Sequence, residues 1–292
     1  MVQERVQLTT KSEKLDLGKL VKSIATNRSL MGIIAAALML LLSQLTMSGM
    51  SSYVYPNYYG SAAAQSLASL VGMAGTLLIC APTAVKLSQK FGKKELATAG
   101  AIVGAVAYLL CFLLRPSNPF VYVAFAAVAT VSMGYFNTVV WAMITDVIDD
   151  TEVRTGVRED GTVYSVYSFA RKLGQAISSG LIGALLTMIG YSEATAFDPA
   201  VTGKIFNLSC LAPFAGFVAL ALILVFLYPL SKTRVEQNIA TLAARREGKE
   251  TKLFSLPCHL PPLRRAGTLP EHRNVLGRVL VLSEKRRYTE PV

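Results

Sequence analysis

The chain has 292 residues, 52% of them hydrophobic and 16% charged, against about 45–50% and about 25% in ordinary soluble domains. Its formal net charge of +11 lies between apolar blocks: no Lys, Arg, Asp or Glu occurs from Ser29 to Val85 or from Leu96 to Leu114. This layout excludes a water-soluble enzyme and a nucleic-acid-binding face, and is that of a chain built to cross a lipid bilayer.

Residues 1–29 are polar and basic. Within them Leu17, Leu20, Val21 and Ile24 recur at i, i+3, i+4, i+7 beside Lys19 and Lys22, the pattern of a short amphipathic helix lying on the inner membrane surface; a solvated linker is the alternative. The segment is too long and polar, and the apolar run after it too long, for a cleavable signal.

A bilayer core about 30 Å thick needs about 20 helical residues. Six stretches between 30 and 229 satisfy this: Leu30 to Met50, Ser66 to Val85, Leu96 to Leu114, Phe120 to Thr145, Thr162 to Gly190 and Ile205 to Tyr228. Chain breakers follow them at Pro56 and Gly60, Gly92, Pro116 and Pro119, and Pro229. Basic residues fall on one side: six up to Arg28, four from Lys86 to Glu95, and Arg154 with Arg158. The opposite loops hold only Arg115 and Lys204. The positive-inside bias thus expects a multi-pass cell-membrane protein with both termini cytoplasmic. The fold class is all-α integral membrane, with six transmembrane helices.

The fourth span places Thr130, Gly134, Asn137, Trp141 and Thr145 on roughly one helical face. An amide offers fixed donors and acceptors and an indole a flat apolar plate, which together suit the hydroxyl rim and C–H face of a sugar; packing against another helix is the alternative for both. The first span has a third polar face at Gln44, Met47 or Ser48, and Ser51, with Tyr53, Tyr55, Tyr58 and Tyr59 just beyond it.

After the fourth span, Asp146 and Asp149 stand one helical turn apart, and Arg154 and Arg158 can return toward them around Gly156. Such a cluster forms a gate or an ordinary surface network. The fifth span alone carries charge, at Arg171 and Lys172. A cation at bilayer depth costs about 2.5 kcal/mol or more, so it faces water or a partner. Ser165, Ser168, Lys172, Gln175 and Ser179 share one face, whereas Gly174, Gly180 and Gly183 permit close helix contact. The alternative is a helix that begins after Lys172, with both cations at the interface.

Cys80, Cys111 and Cys210 lie inside spans and Cys258 stands alone, while both histidines, His259 and His272, lie near the C-terminus. Neither a disulfide framework, a metal site nor a cofactor is expected, and no nucleophile or metal constellation points to an enzyme. Residues 230–292 form a basic cytoplasmic tail, expected to be disordered, with nine basic residues from Lys249 onward.

The stretch Trp141 to Gln175, WAMITDVIDDTEVRTGVREDGTVYSVYSFARKLGQ, resembles the glycoside–pentoside–hexuronide:cation symporters of the major facilitator superfamily in its D-x-x-D, E-x-K/R-T-G-x-R, Y-S and K-x-G pattern. Weaker similarity runs from Glu4 to Leu230. It includes Tyr58–Tyr59 before Gly60 and the turn Phe91-Gly92-Lys93-Lys94, which lacks the Asp-Arg of many superfamily loops. The resemblance implies that Lys172 lies near sugar and cation sites, that Ser168 and Asn137 face the sugar cavity, and that Asp146, Asp149 and Arg158 make inner-gate contacts. Trp141 and Gln175 join the substrate set, and Arg154 the gate set, from their helical positions.

It also implies that the chain corresponds to the C-terminal six-helix half of such a transporter, with the main ligands of the coupling Na+ or H+ in an N-terminal half. Three readings follow: a truncated product, a split transporter whose other half is a separate chain, or a homodimer. The expected partners are the lipid bilayer, a sugar or glycoside and such a half or second copy, with no nucleic acid. A non-transporting membrane interaction protein is the alternative from another class.

Overall fold

The computed structural model describes residues 27–254, and among them there is no strand. The expected interfacial helix at 17–24 and everything after 254 lie outside the described residues. Met1–Arg246 and Glu247–Val292 are separate compact units.

Helix α1 (Arg28–Tyr53) starts where the Asn27 side chain accepts hydrogen bonds from the amides of Ser29 and Leu30, and it passes into a π-helical turn, Val54–Tyr58, that contains Pro56. Ser61 caps α2 (Ala62–Gly75). A second π-turn, Thr76–Cys80, joins it to α3 (Ala81–Phe91), which carries a proline in its first turn. Gly92, at φ 109°, separates this from α4 (Lys93–Leu114). Asn118 caps α5 (Pro119–Thr155), and Gly156, at φ 76°, ends it. Then come α6 (Asp160–Met188), α7 (Pro199–Leu222) with a closing π-turn, Ile223–Leu227, and α8 (Lys232–Phe254).

Among the described residues, five helical segments are long and apolar enough to cross a membrane: Arg28–Tyr58, Ala62–Phe91, Lys93–Leu114, Pro119–Thr155 and Pro199–Leu227. The 29-residue α6 is long enough as well, but its polar stripe and cations lower its hydropathy. At about 1.5 Å per residue the 37-residue α5 is about 55 Å long, well beyond a bilayer core of about 30 Å, so its acidic last turns project past the apolar layer.

At the centre, α4 packs on α5 and α7, and α1 packs on α6 and α7. The approach of α4 to α5 is close because position 100 is glycine: a Cβ there would stand 2.7 Å from the backbone oxygen of Ser132. Helix α2 leans on α5, and α6 touches chiefly α1, so these two form the edges of the bundle. The buried face of α6 is Val163, Tyr167, Ala170, Gly174 and Ser178. Of its three expected contact glycines only Gly174 meets a neighbour, Leu38 and Leu41 of α1; a Cβ at Gly180 or Gly183 would meet open space.

The tyrosines after the first span pack inward, not as an interfacial belt. Tyr55 is fully buried, Tyr58 stacks on Phe206 with centroids 4.8 Å apart, and Tyr59 reaches the Pro116 carbonyl at 3.0 Å. Residues 232–254, read from sequence as part of a disordered tail, form α8 instead. Its polar side chains explain the difference: Asn238 and Arg245 donate hydrogen bonds to the end of α5, and Leu242 is buried.

Candidate functional site

Helix α6 runs unbroken through Arg171 and Lys172, so it does not begin after the cations. Arg171 lies about 16 Å along the axis from Asp160. Ser165, Ser168, Lys172, Gln175 and Ser179 are all exposed, on the side of α6 away from its contact with α1. Burial on one face and this 3–4 spacing on the other follow from a single amphipathic period. Among the described residues no carboxylate pairs with Lys172: the ion pairs are those of Lys93, Arg158 and Arg234.

Across from this helix, α5 turns Trp141 outward, 50% exposed. Its indole meets the ring of buried Tyr167 edge-on, with centroids 5.6 Å apart. The Arg171 guanidinium lies 5.9 Å from the Trp141 ring and 5.8 Å from that of Tyr167, and donates a long hydrogen bond of 3.4 Å to the Tyr167 hydroxyl. Cation–π attraction of this kind contributes about 0.5–2 kcal/mol. Asn137, one turn before Trp141, is half-buried. Trp141 and the Lys172 helix are thus brought together, with Arg171 and Tyr167 as members that the sequence reading did not place in the site. Tyr167 stands four residues before Arg171 on one helix face, the one sequence signal that links them.

At the basic end of the bundle, where Lys93 and Arg158 stand, the acids at the close of α5 are engaged in different directions. Asp146, 6% exposed, accepts from the Lys93 ammonium of α4 at 2.7 and 2.9 Å. Arg158, brought back by the turn at Gly156, donates to Asp149 and Glu152 at 2.9 Å and to Asp160 at 3.0 Å. Hydrogen bonds that Arg158 donates, to Glu152 first and then to Asp149, raise its pKa further above its ordinary value, so this group stays charged. Asp150, 1% exposed, accepts from Ser29 of α1 at 2.7 Å and Asn238 of α8 at 3.1 Å, with Arg234 3.6 Å away.

The expected cluster of Asp146, Asp149, Arg154 and Arg158 is therefore divided. Asp149 and Arg158 meet; Asp146 instead takes Lys93, and Arg154 donates to Asn27 at 3.2 Å. The acids take partners from different places: Asp146 from α4, Asp149 from the turn after Gly156, and Asp150 from α1 and α8.

A family model described as MFS/sugar transport protein matches residues 1–232. The chain belongs to this family. It is a multi-pass membrane protein, and the resemblance to glycoside–pentoside–hexuronide:cation symporters is borne out by its relatives. The chain is 30% identical over 229 residues to the glucuronide carrier protein homolog of Escherichia coli, covering 78% of this chain and 50% of the relative. It is 34% identical over 173 residues to a putative sulfoquinovose importer of Salmonella typhimurium, 59% of this chain and 35% of the relative. With a putative glycoside/cation symporter of Escherichia coli it shares 35% over 136 residues, 45% of this chain and 29% of the relative. The chain spans about half the length of the curated relatives it matches along most of its own length.

Proposed function

We propose that this chain takes part in secondary transport of a sugar or glycoside coupled to a cation, Na+ or H+, as one six-helix half working with a second half. The observation that carries this reading is Lys172. It is an exposed cation on a helix in the bundle, without a carboxylate partner among the described residues, and it shares its face with Ser165, Ser168, Gln175 and Ser179. Trp141 stands beside that helix.

A cation at this depth needs water, a solute or a partner half to face. Ser168, Gln175 and Asn137 supply hydroxyl and amide groups to hydrogen-bond a sugar, and Trp141 supplies a plate for its C–H face. Alternating access then follows from rocking one half against the other about a site at mid-membrane. The relatives, named as a glucuronide carrier homolog, a sulfoquinovose importer and a glycoside/cation symporter, support a sugar-type solute. The positive-inside count puts the basic end in the cytoplasm. There the Arg158 contacts with Asp149, Glu152 and Asp160, together with the Lys93–Asp146 pair, act as bonds made and broken in the cycle.

The test is cation-driven uptake of labelled glycosides into membrane vesicles that carry this chain and a companion half. Lys172→Ala is expected to cut uptake at least tenfold while leaving the amount of protein in the membrane unchanged. Normal accumulation by that variant refutes the assignment of Lys172.

A further inference from the structure

We infer that a cavity between α1, α6 and α7 binds a neutral apolar molecule of about ten carbons bearing one acceptor oxygen, such as a cyclic ketone, and that Thr46 donates to that oxygen. Such a site stands independently of the solute that is transported.

The cavity has a volume of about 300 Å³. Helices α6 and α7 both pack on α1, with little contact between the two. Small residues hold each of them close: a Cβ at Gly49 of α1 would collide with Ile182 of α6, and one at Gly216 of α7 with the Ser43 hydroxyl of α1. The gap between them is floored by Met39 and Thr46 of α1 and walled by Leu181 and Leu185 of α6, whereas α7 contributes three alanines and Gly216. Short side chains on that wall leave the space unfilled, against the close packing of an ordinary interior.

Met39 and Thr46 lie about 17 and 27 Å along a helical segment, Arg28–Tyr58, that is about 46 Å long, so the cavity sits at mid-membrane. Leu181 follows Lys172 by nine residues, about 180° round α6. The cavity therefore lies on the opposite face from the polar stripe and is separate from the candidate sugar site.

Ser43 and Thr46 carry the only polar side chains of the lining. The Ser43 hydroxyl is committed, donating to the Met39 carbonyl at 2.7 Å. Thr46 is 2% exposed, and its hydroxyl has no partner among the described residues. A buried water needs two to four polar partners, so one free hydroxyl does not hold it, and a space of this kind takes an apolar guest. A dry apolar cavity of about 150 Å³ accepts benzene, and one of about twice that volume accommodates about ten carbons. A lipid tail could fill the volume but brings no acceptor to this depth, its ester oxygens lying at the interface about 15 Å away. It would leave the Thr46 O–H unpaired, whereas a ketone oxygen satisfies it. A polyhydroxylated guest is excluded, because one hydroxyl cannot pair its many polar groups.

The test uses the full chain in lipid nanodiscs. Bound tritiated camphor, a ten-carbon ketone, is displaced by unlabelled camphor or by bornane, the same cage without the oxygen, with concentrations referred to the lipid phase. Saturable binding of one camphor per chain is expected, about tenfold tighter than bornane. Thr46→Val keeps the shape and removes the hydroxyl, so it should bring the two probes to equal affinity, while Thr46→Ser should keep the preference. Ala215→Leu, which fills the space from α7, should abolish binding of both.

Equal displacement by camphor and bornane in the unaltered chain overturns the acceptor-bearing ligand and leaves a space for hydrocarbon alone. A preference that survives in Thr46→Val, shown to be folded by circular dichroism, overturns the role of Thr46; if that variant does not fold, loss of the preference in a folded Thr46→Ser overturns it equally. Absence of saturable binding by either probe, or full camphor binding in a folded Ala215→Leu, overturns the site itself.

Discussion

Asp150 provides the most direct measure of what ties the basic end together. Its carboxylate is 1% exposed and accepts from Ser29 at 2.7 Å and Asn238 at 3.1 Å, joining α1 and α8 to α5. Hydrogen bonds to a charged group contribute about 1.5 kcal/mol each at the low end of their range, or about 3 kcal/mol for the two. Arg234, 3.6 Å away and 47% exposed, adds no more than about 0.5 kcal/mol. Asp150→Ala should therefore cost about 3 kcal/mol. In Asp150→Asn the amide oxygen still accepts from Asn238 and the NH2 can donate to a reoriented Ser29 hydroxyl, so the cost is about 1 kcal/mol. The assay is hydrogen exchange in nanodiscs over residues 232–246. A loss of about 3 kcal/mol speeds exchange there about a hundredfold in Asp150→Ala, and a loss of about 1 kcal/mol about fivefold in Asp150→Asn. Unchanged protection of α8 in the alanine variant refutes the reasoning, as does equal loss in both variants, which would make charge alone responsible.

Two further outcomes concern packing and water access. Gly100→Ala drives a methyl against the Ser132 backbone oxygen and should lower stability in detergent by about 2 kcal/mol, whereas Gly180→Ala fills open space and should be neutral or stabilising by up to about 1 kcal/mol; equal apparent melting temperatures would contradict the close approach of α4 and α5. In a background lacking the four native cysteines, single cysteines at Ser165, Ser168 and Ser179 should react with a membrane-impermeant thiol reagent. A cysteine at Ser178, 1% exposed against α1, should not. Equal reactivity at 178 and 179 would show that the polar stripe does not border water.

The spans were legible because hydropathy marks where lipid must be met. Hydropathy does not mark where a helix stops, which is why α5 continues ten residues past Thr145, the expected end of its span, to Thr155. The breakers that bound it, Pro119 and Gly156, are local signals and were visible. On α6 the stripe from Ser165 to Ser179 follows from periodicity, and the structure leaves those residues exposed. The partner of Asp146 was not legible: Lys93 is 53 positions away and reaches it only because α4 and α5 pack closely. The Arg171 stack was half legible, since Tyr167 is a helical neighbour whereas Trp141 arrives from another helix. Helix α8 escaped because polar pairing as well as apolar burial holds it, and composition does not report the former.

The length of α5 has one mechanical result. Trp141 and Asp150 stand on the same uninterrupted rod, about 14 Å apart along its axis, with no proline or irregular turn between them to absorb a bend. A tilt of about 5° pivoting at the indole would carry Asp150 by about 1 Å, enough, when directed along the bond, to stretch its 2.7 Å contact with Ser29 out of bonding range. The helix is a lever whose short stroke at one position is delivered whole at the other.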